Sequence, residues 1–174
     1  MDKELEDLVA KQAITEIIYR YCRAVDRMDR GMALSLWHPD AIVDFGSLYR
    51  GSAPGFVDRI WEMHATAQGR SHQVTNILIN ISGDKAVSES YVLGALRFGD
   101  ETGGSIQTTG WSRYLDRWSR RDGKWAIDHR LCVVDFTEMR PVVDPPRDFG
   151  MPIMGRVDRD DPSFAFIRPF DTPL

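Results

Sequence analysis

One aspartate and one histidine stand out in this sequence as side chains that could share acid–base chemistry. Asp26 comes four residues after Cys22 and eight after Ile18, which places it on the apolar stripe of a predicted helix. A carboxylate on a buried stripe costs free energy unless a partner receives it. The alternative is a solvated carboxylate at a fraying helix end, or one paired with Arg23 or Arg30, and the spacing alone does not separate these interpretations.

The second candidate is His72, at the start of a predicted strand whose same face carries Val74, Asn76 and Leu78. Because imidazole titrates near pH 6.5, a histidine in a pocket can act as a general base at neutral pH. A lone histidine on a strand is more often a structural residue. On its own, His72 is therefore a weak candidate for a catalytic base.

Three other histidines compete with His72. His38 precedes Pro39, so we expect it in an exposed turn, and His64 lies on a predicted helix. His129 and Arg130 are neighbours on the last predicted strand and must therefore point to opposite faces. The alternation does not say which of these two faces lines a pocket.

Composition and charge exclude several classes of function. The 174 residues carry 22 basic and 26 acidic side chains, a net charge of −4, with no cluster of Lys or Arg. We therefore expect neither a nucleic-acid partner nor a membrane partner. No apolar run reaches the roughly 20 residues that a membrane helix needs. The first residues, Met1-Asp2-Lys3-Glu4, are mostly charged and do not resemble a secretory signal, so we expect a cytoplasmic protein.

Motifs for cofactors and metals are missing from the sequence. It contains no Gly-rich phosphate loop, no G-x-S-x-G and no pair of histidines with a carboxylate at metal-ligand spacing. Cys22 and Cys132 lie far apart and predict neither a disulfide framework nor a zinc site. We therefore expect no cofactor and no metal.

Helical spacing of apolar residues dominates the first part of the chain. It predicts a long helix over residues 3–29, ended by Gly31. A short helix over residues 32–37 and a small hairpin over residues 41–51 follow, and a third helix covers residues 53–67.

After Gly69 the apolar period changes from helical to alternating. Four strand-like runs follow, over residues 71–81, 85–98, 105–118 and 124–135, joined by turn-type connections. This order predicts an α+β domain, with helices packed on one face of a curved, mostly antiparallel sheet that encloses a pocket. Aromatic residues expected near that pocket favour an aromatic or steroid-like ligand: Trp61, Tyr91, Phe98 and Trp111.

The composition shifts once, near residue 136. Residues 137–174 hold seven of the nine prolines together with several aromatic and aliphatic residues. We predict one domain over residues 1–136 and a Pro/Phe-rich extension over residues 137–174, mostly irregular, packed on the body or on a neighbouring subunit. Deletion of residues 150–174 should weaken turnover more than it weakens the fold.

Three motifs carry a resemblance to a known family. They are AITEIIYRYCRAVDRMD (residues 13–29), SHQVTN (residues 71–76) and RRDGKWAIDHR (residues 120–130). On these motifs the chain resembles the SnoaL-like members of the NTF2-like superfamily over about residues 5–136. It is similar in particular to the branch with the bile-acid 7α-dehydratase, scytalone dehydratase and hexachlorocyclohexane dehydrochlorinase. The resemblance implies an NTF2-like cone, a cystatin-like α+β roll.

The resemblance also implies a set of site residues. The family's catalytic aspartate and histidine correspond to Asp26 and His72, and a tyrosine five residues before the aspartate corresponds to Tyr21. The family's strand arginine corresponds to Arg130, and Tyr49 is similar to a second tyrosine of scytalone dehydratase. In such a site the Asp–His dyad removes a proton, and Tyr21 and Arg130 hydrogen-bond the developing oxygen anion or the departing group.

The activity implied is that of a cofactor-independent lyase acting on a hydrophobic, ring-containing small molecule. Dehydration is the leading candidate reaction, and C–C cleavage that releases formaldehyde is a close variant. An isomerase or cyclase using the same dyad is an alternative, as is a non-catalytic ligand-binding or association module, because fold alone does not decide function. The helper subunit of a ring-hydroxylating dioxygenase fits less well. The dehydratase resemblance implies a homotrimer, with a dimer as the alternative.

Overall fold

The computed structural model describes residues 2–101, 103–143 and 153–167. The first helix, α1 (Lys3–Asp26), begins at Asp2, whose side chain accepts from the Glu4 backbone N–H. It ends because Met28 adopts a φ of 52°, in the left-handed region. The prediction that Gly31 ends this helix is wrong: Gly31 lies inside the next one, α2 (Arg30–Ser35).

At His38-Pro39, where the sequence predicted a turn, the chain forms a strand that pairs in parallel with the last strand of the sheet. After α2 come β1 (Trp37–Asp44), β2 (Arg50–Ser52) and α3 (Ala53–His64). The predicted hairpin is confirmed, since β1 and β2 pair antiparallel. The expectation of an exposed His38 is wrong. His38 is buried in β1, with its Nε2 3.0 Å from the Ser119 carbonyl oxygen, because β1 inserts beside the last strand of the sheet.

The four-stranded antiparallel meander is confirmed. It consists of β3 (Gly69–Ser82), β4 (Lys85–Gly99), β5 (Ser105–Arg121) and β6 (Lys124–Val142). The strand order in the sheet is β2-β1-β6-β5-β4-β3, and the β1–β6 pair is parallel. The helices α1 and α3 pack on one face of this sheet, so the predicted α+β arrangement is confirmed.

A β-bulge in β6 changes which residues face the core. Trp118 pairs with Ile127, but the preceding Arg117 pairs with His129, so β6 carries one extra residue at this point. Ile127 and Arg130 are consequently both buried, while His129 is only half-buried. Uninterrupted alternation would place Ile127 on the face of His129, whereas the bulge places it on the face of Arg130.

Aromatic rings fill the space between α1, α3 and the sheet. Tyr21 of α1 meets Trp37 and Tyr114 edge-on, with ring centroids 6.1 and 5.6 Å apart. Phe56 of α3 packs against Trp37 and Phe45 in the same cluster. The interior around these rings is therefore a packed core, and open space lies toward the C-terminal end of α1.

The described part of the C-terminal extension returns to α1. Asp161 forms an ion pair with Arg27 at 2.9 Å, and Ser163 accepts a hydrogen bond from Arg23 at 3.2 Å. A short helix, α4 (Pro162–Ile167), follows directly. Residues 144–152 and 168–174 of the predicted extension lie outside the described residues. None of the helices that the structure describes is both long and apolar enough to cross a membrane.

Candidate active site

The carboxylate of Asp26 holds His72 at two atoms. Its Oδ1 lies 2.7 Å from the His72 Nδ1, and its Oδ2 accepts from the His72 backbone N–H at 3.0 Å. The two side chains are 16% and 12% exposed, which is enough for contact with a small molecule. The fold therefore brings together the two candidates whose roles the sequence spacing alone did not decide. Among the described contacts, Asp26 pairs with neither Arg23 nor Arg30.

Local sequence explains how the pair forms. Asp26 is the last residue of α1, on the same stripe as the buried Ile18 and Cys22, and α1 packs across β3. The ring of His72 lies against Gly94 of the neighbouring strand. A Cβ at residue 94 would stand 3.2 Å from the His72 Cδ2 and 3.3 Å from its Nε2, so glycine leaves the space that the ring occupies.

The geometry determines which imidazole nitrogen is available. When Nδ1 carries the hydrogen donated to Asp26, the Nε2 of neutral His72 carries a lone pair. Among the described residues, the ring of His72 hydrogen-bonds to Asp26 alone. A carboxylate in this position also stabilises the protonated ring. The pair can therefore accept a proton at Nε2 and hold the resulting charge.

The pair opens into a cleft of about 490 Å³. The wall beside the pair carries Cys22 and Val74, and the mouth carries Tyr19, Arg23, Arg27, Asp161 and Ser163. Hydrogen bonds from Ser163, from the Arg156 backbone N–H and from Arg27 hold the pKa of Asp161 well below its usual range. The C-terminal extension thus supplies part of the mouth, in ionised form.

A second histidine stands against the first. His64, at the end of α3, stacks on His72 with ring centroids 6.0 Å apart and an interplanar angle of 25°. Burial, and then the neighbouring His72, lower the pKa of His64 to about 4, so it is neutral at neutral pH. The sequence suggested His64 only as a competitor of His72. Nothing in its helical spacing indicated that the two rings would meet.

Tyr21 and Arg130 lie together, but in the packed core and not on the cleft wall. Arg130 is fully buried and donates two hydrogen bonds of 2.8 Å to Asp116. Its guanidinium lies 4.3 Å from the ring centre of Tyr21 and 4.0 Å from that of Tyr114. Burial acts to lower the pKa of Arg130, but Asp116 outweighs it and holds the pKa above its ordinary value. Burial raises the pKa of Tyr21.

Asp116 was absent from the predicted site, although it is the ion-pair partner of Arg130. Its position on the inward-facing alternation of β5 was the available signal. A buried arginine predicted on the next strand needs a carboxylate opposite it, and the two are direct partners in the β5–β6 register.

Tyr49 lies apart from the Asp26–His72 pair and from the buried group of Tyr21 and Arg130. Its hydroxyl donates to the Ser52 carbonyl oxygen at 2.9 Å, and its ring packs on Phe56, with centroids 5.6 Å apart. Tyr49 is not among the residues that line the cleft of Asp26 and His72. In this structure it stabilises the start of α3.

Two of the aromatic residues expected near the pocket lie on the opposite face of the sheet. Tyr91 and Trp111 line a separate depression of about 310 Å³, where Trp111 stacks on Phe136. They therefore do not contribute to the cleft of the Asp26–His72 pair. Across the described residues, no group of three or more His, Cys, Asp or Glu side chains is arranged to hold a metal ion.

Comparison with known proteins places the chain in a family. A family model described as a SnoaL-like domain matches residues 6–131, which includes Asp26, His72 and Arg130. The match confirms the family expected from the three motifs. No curated protein sequence matches the chain.

Solved structures share the fold at low sequence identity. A protein named as a candidate scytalone dehydratase from Novosphingobium aromaticivorans DSM 12444 is 21% identical, with a TM-score of 0.69, over 84% of this chain and 97% of that one. A type 2 hexachlorocyclohexane dehydrochlorinase is 20% identical, with a TM-score of 0.71, over 84% and 99%. A type 3 enzyme of that name from Novosphingobium barchaimii LL02 is 24% identical, with a TM-score of 0.65, over 83% and 100%. A cystatin-like fold is also among the similar structures.

Proposed function

Because the chain belongs to the SnoaL-like family, we propose that it is a cofactor-independent lyase acting on a hydrophobic, ring-containing small molecule. The observation that carries the proposal is the Asp26–His72 pair, joined at 2.7 Å and open to a cleft. The similar folds of proteins named for dehydration and dehydrochlorination support the reaction class.

The proposed reaction begins with proton transfer. The Nε2 of His72 removes a proton from a carbon next to a carbonyl or an aromatic ring, and Asp26 stabilises the imidazolium that forms. The electron pair left on carbon forms the new double bond as the bond to the β-leaving group breaks. In dehydration the leaving hydroxide takes up the proton and departs as water, so that the atoms and charge balance.

Two related reactions use the same pair. In C–C cleavage, His72 removes the hydroxyl proton of a hydroxymethyl group, and the O–H electron pair forms the C=O bond of formaldehyde as the C–C bond breaks. The electron pair of the broken bond passes to the carbon that bore the hydroxymethyl group, and the imidazolium of His72 then protonates that carbon. In isomerisation, the proton returns to a different atom of the same molecule. Dehydration remains the leading proposal because of the named dehydratase fold.

The roles implied for Tyr21, Arg130 and Tyr49 stay predictions. For Tyr21 and Arg130 we infer an indirect role, because both lie in the core and not on the cleft wall. Tyr21 is adjacent in the chain to Cys22, which lines the cleft, so the core can influence the shape of the cleft through α1. For Tyr49 we infer a contribution to the placement of α3, and through α3 to the placement of His64.

We also propose that a second copy of the chain covers the outer face of the sheet, as a trimer or, alternatively, a dimer. Exposed apolar side chains on this face support association: Tyr91, Leu131 and Phe136 are each more than one third exposed. If association were the whole function, Asp26 and His72 would be dispensable for any reaction. Light scattering coupled to size exclusion measures the mass.

Mass spectrometry of a substrate panel tests the catalytic proposal. The full chain is incubated without metal with hydroxylated aromatic and steroid-like compounds, beside His72→Ala and a control, His129→Ala, on the outer face of β6. We expect loss of water, loss of formaldehyde or an unchanged mass with altered retention in the wild type and the control alone. Equal turnover by His72→Ala would overturn the proposal.

A further inference from the structure

The mouth of the cleft carries a cation that the proposed proton transfer leaves unused. Arg23 lies on α1, three residues before Asp26, and residues at that spacing are neighbours on the surface of a helix. The side chain of Arg23 lines the same cleft into which the Asp26–His72 pair opens. A molecule that fills the cleft therefore meets both Arg23 and the base.

The other charged side chains of the cleft have partners within the protein. Arg27 forms its ion pair with Asp161 at 2.9 Å, and both oxygens of Asp26 accept from His72. In the described part of the chain, Arg23 forms no ion pair with a carboxylate. When a proton moves to His72, the charge of Asp26 is matched as well, and the positive charge of Arg23 is the one left over in the cleft.

Two contacts with the C-terminal extension hold the Arg23 guanidinium in place. Its Nη2 donates to the Ser163 Oγ at 3.2 Å, and the Ser163 hydroxyl itself donates to Asp161. The guanidinium also lies over the ring of Phe164, 5.2 Å from the ring centre. A guanidinium placed over an aromatic ring can still donate hydrogen bonds in its own plane. Within the described residues, the Nε and Nη1 of Arg23 have no hydrogen-bond acceptor, so both remain donors for a ligand.

The cleft is apolar beside the base. Its wall there consists of Cys22 and Val74. Burial raises the pKa of the Cys22 thiol to about 12, so this side chain is uncharged at neutral pH and suits contact with a ring. The volume of about 490 Å³ lies within the range typical of small-molecule sites. The cleft therefore offers an apolar wall next to His72 and a fixed cation at its mouth.

We propose that Arg23 binds a carboxylate of the substrate at the mouth of the cleft, so that the substrate class is a ring-bearing organic acid. This inference rests on the proposed function, since it places the acidic group relative to the base. The ring packs on Cys22 and Val74, the carbon that loses its proton lies at His72, and the carboxylate points toward the mouth. A carboxylate accepts two parallel hydrogen bonds from a guanidinium, which makes Arg23 a specificity-determining residue.

Titration calorimetry with cinnamate and its neutral counterpart cinnamamide tests the site without any turnover. The proteins are the wild-type full chain, Arg23→Met and the control Arg20→Met, whose arginine lies three residues earlier on α1 and outside the cleft lining. We expect wild type and control to bind cinnamate at least about tenfold more tightly than cinnamamide. Arg23→Met should lose that preference and keep its affinity for cinnamamide, because the contacts with the ring remain.

Further variants separate recognition from folding and from the base. Ser163→Ala removes the same hydrogen bond to the C-terminal extension but keeps the cation, so it should retain most of the preference for cinnamate. Arg23→Lys keeps a charge without the planar fork and should retain part of it. Circular dichroism checks the fold, and Arg23→Lys decides if Arg23→Met unfolds. His72→Ala should keep the preference, and acetate, which has no ring, should bind more weakly than cinnamate.

The inference is overturned by equal or undetectable affinity of the wild type for the two compounds, or by an unchanged preference in folded Arg23→Met. Loss of the preference in His72→Ala would place the carboxylate on the base instead. Complete loss in Ser163→Ala would assign the effect to the C-terminal extension, and acetate binding as tight as that of cinnamate would assign Arg23 to small anions in general. Failure of the proposed function shows separately, as turnover by His72→Ala, because recognition of cinnamate at Arg23 does not require the base.

Discussion

Two pairs of polar side chains link separate elements of this protein, and the two pairs differ in how much of each side chain is exposed. Asp26 and His72 meet at the edge of a cleft, where both side chains are part-exposed. Asp116 and Arg130 meet in the aromatic core, where neither side chain is exposed. The exposed pair keeps a nitrogen atom available to a substrate, whereas the buried pair has its charges compensated internally and orders the tyrosine rings around it.

The largest expected effect is on the reaction of the exposed pair. Asp26→Asn keeps the shape of the side chain but cannot stabilise a protonated His72, so turnover should fall by about 10²–10⁴-fold. The free energy of unfolding should change much less. Steady-state kinetics and urea unfolding measure the two effects.

The control for Asp26→Asn is Asp58→Asn, which removes a carboxylate from an exposed ion pair with Arg30. It should leave turnover within about twofold of wild type. Equal losses in both variants would show that the Asp26 effect is not specific to the pair.

The buried pair should show the reverse pattern. Asp116→Asn leaves the Arg130 charge uncompensated in the core, which should lower the free energy of unfolding by about 3–5 kcal/mol. Urea unfolding measures this loss. The double variant Asp116→Leu/Arg130→Met should recover much of it. A loss below about 1 kcal/mol in Asp116→Asn would contradict the comparison.

His64 combines a buried position with a place beside the exposed pair, and it predicts a pH dependence of stability. Its pKa falls from 6.5 to about 4 on folding, so the unfolded chain binds the proton more readily. The stability contribution is therefore fully present above pH 6.5 and is lost as the pH falls toward 4, by at most about 3 kcal/mol.

Urea unfolding at several pH values between 4 and 7 measures this dependence. His64→Gln should flatten the curve in that window, because glutamine does not titrate. Parallel curves for wild type and variant would mean that other groups cause the loss.

Gly94 tests how closely the exposed pair depends on its neighbours. In Gly94→Ala the new Cβ meets the His72 ring at 3.2–3.3 Å, so the ring must shift by a few tenths of an ångström. We expect turnover to fall by about tenfold with little change in stability. The cross-strand partner provides the control: in Gly110→Ala the nearest atom is 3.8 Å away. Similar kinetics for the two variants would show that the contact between residue 94 and the His72 ring does not cause the loss of turnover.

The smallest effect is expected at the mouth of the cleft. Removal of residues 150–174 takes away the Arg27–Asp161 ion pair and part of the cleft wall. Turnover should fall several-fold while the free energy of unfolding changes by less than about 1 kcal/mol. Asp161→Asn in the full chain should show a weaker effect in the same direction. Comparable losses in melting and activity would argue for a structural extension.

Much of the fold followed from the sequence because its elements are set by local pattern. The long amphipathic first helix, the hairpin and the four alternating strands needed only periodicity and turn residues. The end of α1 was misplaced because of a local feature, the left-handed backbone of Met28. Two other misplaced positions, His38 and Ile127, depend on partners distant in the chain. His38 is buried because β1 joins the sheet beside β6, and the bulge in β6 realigned Ile127 with Arg130.

The same distinction between local pattern and packing applies to the candidate site. Residue types and the family motifs selected Asp26, His72, Tyr21 and Arg130 from the sequence. They could not show that Arg130 would be bound by Asp116 inside the core, nor that the ring of His64 would stack on that of His72. These contacts join elements that are neighbours in the chain, but they depend on the register and the turn geometry between those elements, which the spacing within one element does not encode.

The sequence by itself determined the succession of helices and strands, the family and the presence of a carboxylate and an imidazole suited to proton transfer. The tertiary structure alone decided that these two groups meet, and which of the two pairs is buried and which stays open. The physical reason is that helices and strands form from interactions between near neighbours in the chain, whereas burial and charge pairing depend on how those elements pack.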